Sequence, residues 1–241
     1  MTTILSHQYG GRLGNQIIRN IAVSLIAEKF DLQVTYSSQP WMDELGIPLF
    51  CGSKVYSETK PLTEANYFSV YESEKVEYNL NPNQSFFQTT KIIKLIYQYL
   101  QHKKDGILEK NIFKDRIPNQ DVFVHIRLTD VKQYNPGLHY YANAIQNVPF
   151  HHIYISTDEP SHEIIQQLCK MYPNATLMNK NEVQTIQFAS TCKYIILSHG
   201  SFSSIIGYLS YFSDVHYPNH TIGKIWYGDL FCIPSWKKCS I

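Results

Sequence analysis

The chain has 241 residues, room for one large domain or two small ones, and a composition of 44% hydrophobic, 17% charged and 14% aromatic residues excludes a disordered or coiled-coil protein. Lys and Arg total 21 against 20 Asp and Glu, so the net charge of +1 gives no general attraction to nucleic acid or acidic membranes. Five widely spaced cysteines without a C-x-x-C pair indicate neither a disulfide scaffold nor a zinc site, and they fit a reducing compartment. Residues 1–8 lack the basic and apolar regions of a signal peptide. The most apolar window, 194–212, is broken by His199, Gly200 and several serines, so no membrane span is expected and the chain reads as soluble and cytoplasmic. The pairs Lys103-Lys104 and Lys237-Lys238 read as solvated surface.

In chain order, a strand over 4–8, a glycine-rich turn, a helix carrying Ile17, Ile18, Ile21, Ala22, Leu25 and Ile26 on one face, and a strand over 32–36 make a β-α-β unit. Residues 39–84 show no clear period and read as a loop-rich insertion or an irregular half-domain. A helix follows over 87–100, then a polar connection over 103–119. Beyond it, short apolar strands at 122–126, 152–156, 175–178, 194–198 and 215–217 alternate with helical segments such as 160–171 and 182–189. That rhythm predicts a parallel, Rossmann-like sheet with crossover helices. Ligands in such sheets bind beyond the carboxyl ends of the strands, so those ends are where function is sought.

The first strand leads into Gly10-Gly11-Arg12-Leu13-Gly14-Asn15-Gln16, a turn that opens a helix and lets backbone approach a ligand. A structural turn and a phosphate or sugar site fit its spacing equally, and Arg12 with Asn15 favours the latter. The 122–126 strand runs into His125-Ile126-Arg127-Leu128-Thr129-Asp130. Alternation puts His125 and Arg127 on one side, where an Arg can grip a phosphate, or else His125 is a core residue and Arg127 a partner of Asp130. The next strand ends lead into Ser156-Thr157-Asp158-Glu159 and Ser198-His199-Gly200-Ser201-Phe202-Ser203, the latter gathering hydroxyls and amides at a helix start. Tyr140-Tyr141 reads as core or cleft lining. There is no D-x-D motif to hold a metal ion and no G-x-S-x-G elbow of a serine hydrolase.

At these residues the sequence resembles the alpha-1,2-fucosyltransferases of glycosyltransferase family 11, which share motifs with alpha-1,6- and protein O-fucosyltransferases. Gly11 to Gln16 is similar to the family's G-R-x-G-N-Q, His125 to Asp130 to H-x-R-R-x-D, and Tyr140 to Ile145 to Y-Y-x-x-A-I. Ser190-Thr191-Cys192-Lys193, continuing to Ser201-Phe202-Ser203, is similar to its S-x-C-K…S-F-S segment. Leu128 stands where the family has a second Arg, Arg19 where it has a Gln, and Ser204-Ile205 where it has a Trp pair.

The resemblance implies an α/β, GT-B-like fold of two Rossmann-like halves facing a cleft. Residues 1–118 would form the acceptor-side domain and 119–241 the nucleotide-sugar-binding domain. It implies an inverting, metal-independent transfer of L-fucose from GDP-fucose to a glycan hydroxyl, with alpha-1,2 linkage preferred and no cofactor. The alternatives are another nucleotide sugar on the same scaffold, or a catalytically weak glycan- or nucleotide-binding protein. Carried over by position, Arg127, Asp130 and Asn15 are the catalytic candidates. Arg12, Gly14, Asn15, His125, Arg127, Asp158, Ser201, Phe202 and Ser203 are the donor-binding ones, with Asp130, Asp158 and Glu159 as the carboxylates available to act as a base.

Overall fold

The computed structural model describes residues 11–83, 85–219 and 230–241 and the backbone of Ile4 and Leu5. Residues 6–8 of the first expected strand, Gly10, and Gln84 at the end of the expected irregular region lie outside these. The chain divides into two compact units, Met1–Ile107 and Leu108–Ile241.

In the first unit, β1 (Ile4–Leu5) pairs in parallel with β2 (Val34–Thr35), and between them runs the 18-residue helix α1 (Leu13–Phe30). Ile17, Ile18, Ile21, Ala22 and Ile26 of α1 are buried as the periodicity requires, but so are Arg19, Asn20 and Ser24, because other segments pack round the helix. The aperiodic region is an irregular set of short elements: α2 (Gln39–Leu45), β3 (Thr59–Pro61), α3 (Tyr67–Tyr71) and β4 (Asn79–Asn81), with β3 and β4 parallel. Side chains tie it together. Asn79 accepts from the Tyr56 amide at 2.8 Å and Asn66 from the Thr63 amide at 2.7 Å, bonds that carry no hydrophobic period. Helix α4 (Thr90–His102) follows, as expected.

The expected polar connection over 103–119 holds a further helix, α5 (Lys104–Lys110), whose single buried side chain, Ile107, leaves no amphipathic signal. The expected division at 118/119 also falls earlier, because residues past Ile107 are bound to the second unit. Asn111 donates to the Gln187 carbonyl at 2.8 Å and to Ser190 Oγ at 2.9 Å. Arg116 pairs with Asp121 at 2.7 Å and stacks over Phe188 at 4.1 Å.

The second unit is built on one parallel sheet of β5 (Val122–Ile126), β6 (Ile153–Thr157), β7 (Thr176–Leu177), β8 (Tyr194–Ile196), β9 (Asp214–Pro218) and β10 (Lys237–Cys239). Helices α6 (Leu138–Gln146), α7 (Glu163–Met171), α8 (Glu182–Ala189) and α9 (Gly200–Tyr208) connect successive strands up to β9. The spatial order β10-β9-β8-β5-β6-β7 places the unit's first strand in the middle and reverses direction between β5 and β8, as in the doubly wound dinucleotide-binding sheets. Every residue of β5 is buried, which explains its unbroken apolar run. The edge strand β10 was not expected, since its polar Lys237-Lys238 reads as surface; on an exposed edge, lysines discourage pairing with other chains.

Behind the sheet, Trp236 lies against α9 so closely that a Cβ on Gly207 would fall 2.5 Å from its ring. Gly207→Ala should therefore destabilise the fold by ~1–3 kcal/mol through overpacking, read as a lowered denaturant midpoint. An unchanged midpoint would show that Trp236 moves aside freely.

Candidate functional site

The reversal between β5 and β8 brings together the loop that carries Arg127 and the N-terminus of α9. Arg127 Nη2 donates to both oxygens of Asp130, at 2.9 and 3.1 Å. Its Nη1 lies 3.5 Å from where a Cβ on Gly200 would stand, and its Nε is buried with no hydrogen-bond partner. Gly200 opens α9 with φ of +87°, a left-handed conformation that glycine adopts without strain. His199 at the cap position provides no side-chain cap, and the first turn has no acidic residue. A guanidinium thus sits beside the positive end of a helix, and Asp130, itself half exposed, offsets this only in part. An anion placed between Arg127 and the first amides of α9 would offset both.

Below this surface the polar groups are buried and joined. Ser198 Oγ accepts from the Tyr141 hydroxyl at 2.9 Å, lies 3.2 Å from His199 Nδ1, and receives a longer bond from the Arg127 amide at 3.4 Å. Asn135 Nδ2 donates to the Arg127 carbonyl at 2.9 Å and to the Tyr141 hydroxyl at 3.0 Å. Arg127 is therefore held through its own peptide groups. The Asp158 carboxylate accepts from the Leu128 amide at 2.7 Å and the Thr129 hydroxyl at 2.6 Å, so in this structure it fastens the loop that follows β5. Leu128, in place of the family's second Arg, packs into the sheet core.

At the β5 end the structural reading is the one seen: His125 is buried and Arg127 pairs with Asp130. His125 Nδ1 lies 2.5 Å from Ser203 Oγ, and its ring is 5.3 Å from that of Phe202. Ser201 is buried in the first turn of α9, and Tyr140 and Tyr141 are core residues, Tyr141 with a polar task. The spacing did not single out Asn135, although its Asn-Pro-Gly setting is a turn signal.

Arg12, Gly14 and Asn15 belong to the first unit. Gly11 has φ of +64°, and a Cβ there would lie 2.4 Å from Asn15 Nδ2. Arg12 is the exposed cap residue of α1, Gly14 is buried in the first turn, and Asn15 Oδ1 accepts from Gln88 Nε2 at 2.8 Å. Arg19, one turn on from Asn15, is fully buried and donates twice to the Ser85 carbonyl, at 3.1 and 2.9 Å. Gln88 carries no motif in the sequence and was missed.

Burial pushes the His125 imidazole down to about 3, with Asp158 opposing and Arg127 and His199 adding to the shift. For Asp158, partial burial acts upward, but hydrogen bonds from Thr129 and the Leu128 amide prevail and hold it below the usual carboxylate range. The folded pKa of His125 lies below the unfolded value of about 6.5. Its contribution to stability is thus complete above that value and declines as the pH falls toward 3, by up to about 1.4 kcal/mol per pH unit. Urea midpoints measured from pH 7 to 5 should fall less steeply for His125→Asn than for the parent chain. Equal slopes would mean that the imidazole is not kept neutral by the fold.

No protein-family model matches the chain, and no curated protein matches it. Solved structures do. Fucosyltransferase NodZ from Bradyrhizobium superposes with a TM-score of 0.55 at 13% identity, covering 88% of this chain and 94% of that one. NodZ alpha-1,6-fucosyltransferase co-crystallized with GDP gives 0.54 at 13% identity over 88% and 93% of the two chains. The same enzyme soaked with GDP-fucose gives 0.51 at 13% over 86% and 91%. At this identity the likeness establishes the fold: the chain has the GT-B-like α/β architecture that its sequence motifs imply.

Proposed function

We propose that this protein is an inverting glycosyltransferase that moves L-fucose from GDP-fucose to a glycan hydroxyl. The observation that carries the reading is Arg127 beside the uncapped start of α9, two positive groups on a surface where a diphosphate would be neutralised by both. The family motifs at Gly11 to Gln16, His125 to Asp130 and Ser201 to Ser203, and a fold shared with structures containing GDP and GDP-fucose, support the choice of donor. The motifs favour an alpha-1,2 linkage, whereas NodZ is an alpha-1,6 enzyme.

In the proposed reaction the acceptor oxygen bonds to C1 of fucose as the C1–O bond to the diphosphate breaks, its electron pair leaving with GDP. Charge develops on the departing phosphate, and Arg127 with the α9 amides stabilises it without a resident metal ion. Asp130 is the candidate base for the acceptor proton, being exposed and already next to Arg127. Ser201, Phe202 and Ser203 border the nucleotide. Arg12, Gly14 and Asn15 are donor-binding candidates by the family motif they resemble.

GDP should raise the melting temperature while UDP and CMP do not, because ligand at one hundred times its dissociation constant adds about 2.7 kcal/mol, several degrees for a chain of this size. Arg127→Ala should lose most of that shift and lower turnover on the order of 10² to 10³, with Arg127→Lys a poor rescue. A folded Arg127→Ala protein with unaltered GDP shift and turnover would remove Arg127 from the site. A shift with UDP alone would reject the GDP-sugar. Turnover should also persist in EDTA, and loss restored by Mn²⁺ or Mg²⁺ would contradict a metal-independent step.

A further inference from the structure

Arg127 stands beyond the sheet that carries it. Strand β5 pairs with β8 only as far as Val124 and with β6 as far as Ile126, so Arg127 follows the last paired residue of both ladders. Its amide has the long 3.4 Å contact to Ser198 Oγ, whereas its carbonyl accepts from Asn135 Nδ2 at 2.9 Å. The shorter tether therefore comes from a side chain eight residues on, which none of the sequence motifs includes.

The orientation of that side chain is determined. Asn135 Oδ1 accepts from the Gly137 N–H at 2.8 Å and Nδ2 donates to the Arg127 carbonyl, and neither backbone group can take the opposite role. The second Nδ2 hydrogen goes to the Tyr141 hydroxyl at 3.0 Å, which donates its own to Ser198 Oγ at 2.9 Å. Tyr141 is a fully buried residue of α6, and Gly137, at φ of +86°, makes the turn that leads into that helix. Asn135 thus joins the peptide of Arg127 to a packed helix of the second unit.

We infer, resting on the reading of the Arg127–α9 surface as the diphosphate site, that Asn135 is a positioning residue. It fixes the backbone from which the Arg127 guanidinium reaches the start of α9, and it does not itself touch the ligand. Without it the Arg127 carbonyl loses its donor, and the peptide keeps only the longer contact to Ser198. A displacement of about 1 Å at such a group can lower a rate by on the order of 10².

Arginine Nε–H resonances of the ¹⁵N-labelled full chain test this, because the Arg127 Nε is buried and its hydrogen slow to exchange. The Arg127 signal is assigned by its absence from Arg127→Lys, and inorganic pyrophosphate and GDP are the probes. Pyrophosphate should move that signal in the parent chain. Asn135→Ser keeps a hydroxyl for the turn bond to Gly137 but is too short to reach Arg127 or Tyr141. It should displace or broaden the Arg127 signal before any ligand is added and leave those of Arg19 and Arg116 in place. Both probes should then bind about tenfold more weakly. Asn135→Asp, isosteric but without amide hydrogens, should lose at least as much. Affinities unchanged in these variants would overturn the positioning role, as would weakened binding with an unmoved Arg127 signal. Loss of the Arg19 and Arg116 signals in both variants would also overturn it, marking a residue that only holds the fold. Pyrophosphate binding without GDP binding would remove the transferase reading and leave the positioning role standing, whereas binding of neither would remove both.

Discussion

The placement of a guanidinium against the positive end of a helix is the constraint on which the second unit turns. Arg127 reaches that position because β5 and β8 are neighbours across the reversal of strand order, so the loop after one faces the helix after the other. Asp130 offsets these two positive groups only in part. Asp130 takes Nη2 from an exposed position, Nε has no partner, and α9 has no side-chain cap. An anion placed there would stabilise such an arrangement, which is why the proposed diphosphate is assigned to it.

Much of the remaining polar chemistry in this region keeps that surface rigid. Ser198 and Asn135 bind the peptide groups of Arg127, and Tyr141 joins those two side chains, so that of the three none engages the guanidinium. Asp158 fastens the next two residues in the same way. A hydrogen-bonded network of this kind favours one arrangement, because a buried member that lost its partner would bear its desolvation cost. The neutral His125 lies beneath, against Ser203, and adds no charge to the site.

The sequence disclosed the elements whose chemistry is periodic or apolar. Strand β5 and helix α8 have the expected bounds, and the polar strand ends at Arg127 and Ser201 come together as a parallel sheet demands. It disclosed less where side-chain hydrogen bonds replace hydrophobic period. The short elements around Asn66 and Asn79, the polar helix α5 and the lysine-bearing edge β10 leave little pattern to read. Arg19 and Leu128, which depart from the family motif, have structural tasks visible only in three dimensions: one holds the Ser85 carbonyl and the other fills the core. Gln88 was illegible for a different reason, since its meaning lies entirely in a contact with Asn15 across the first unit.

The central claim is that the Arg127–α9 surface receives the diphosphate of a guanine nucleotide. A crystal structure of the chain with GDP tests it most directly. The account predicts phosphate density within hydrogen-bond distance of both the Arg127 guanidinium and the amides at Gly200 to Phe202. Density bound elsewhere, with Arg127 still engaged by Asp130 alone, would contradict it.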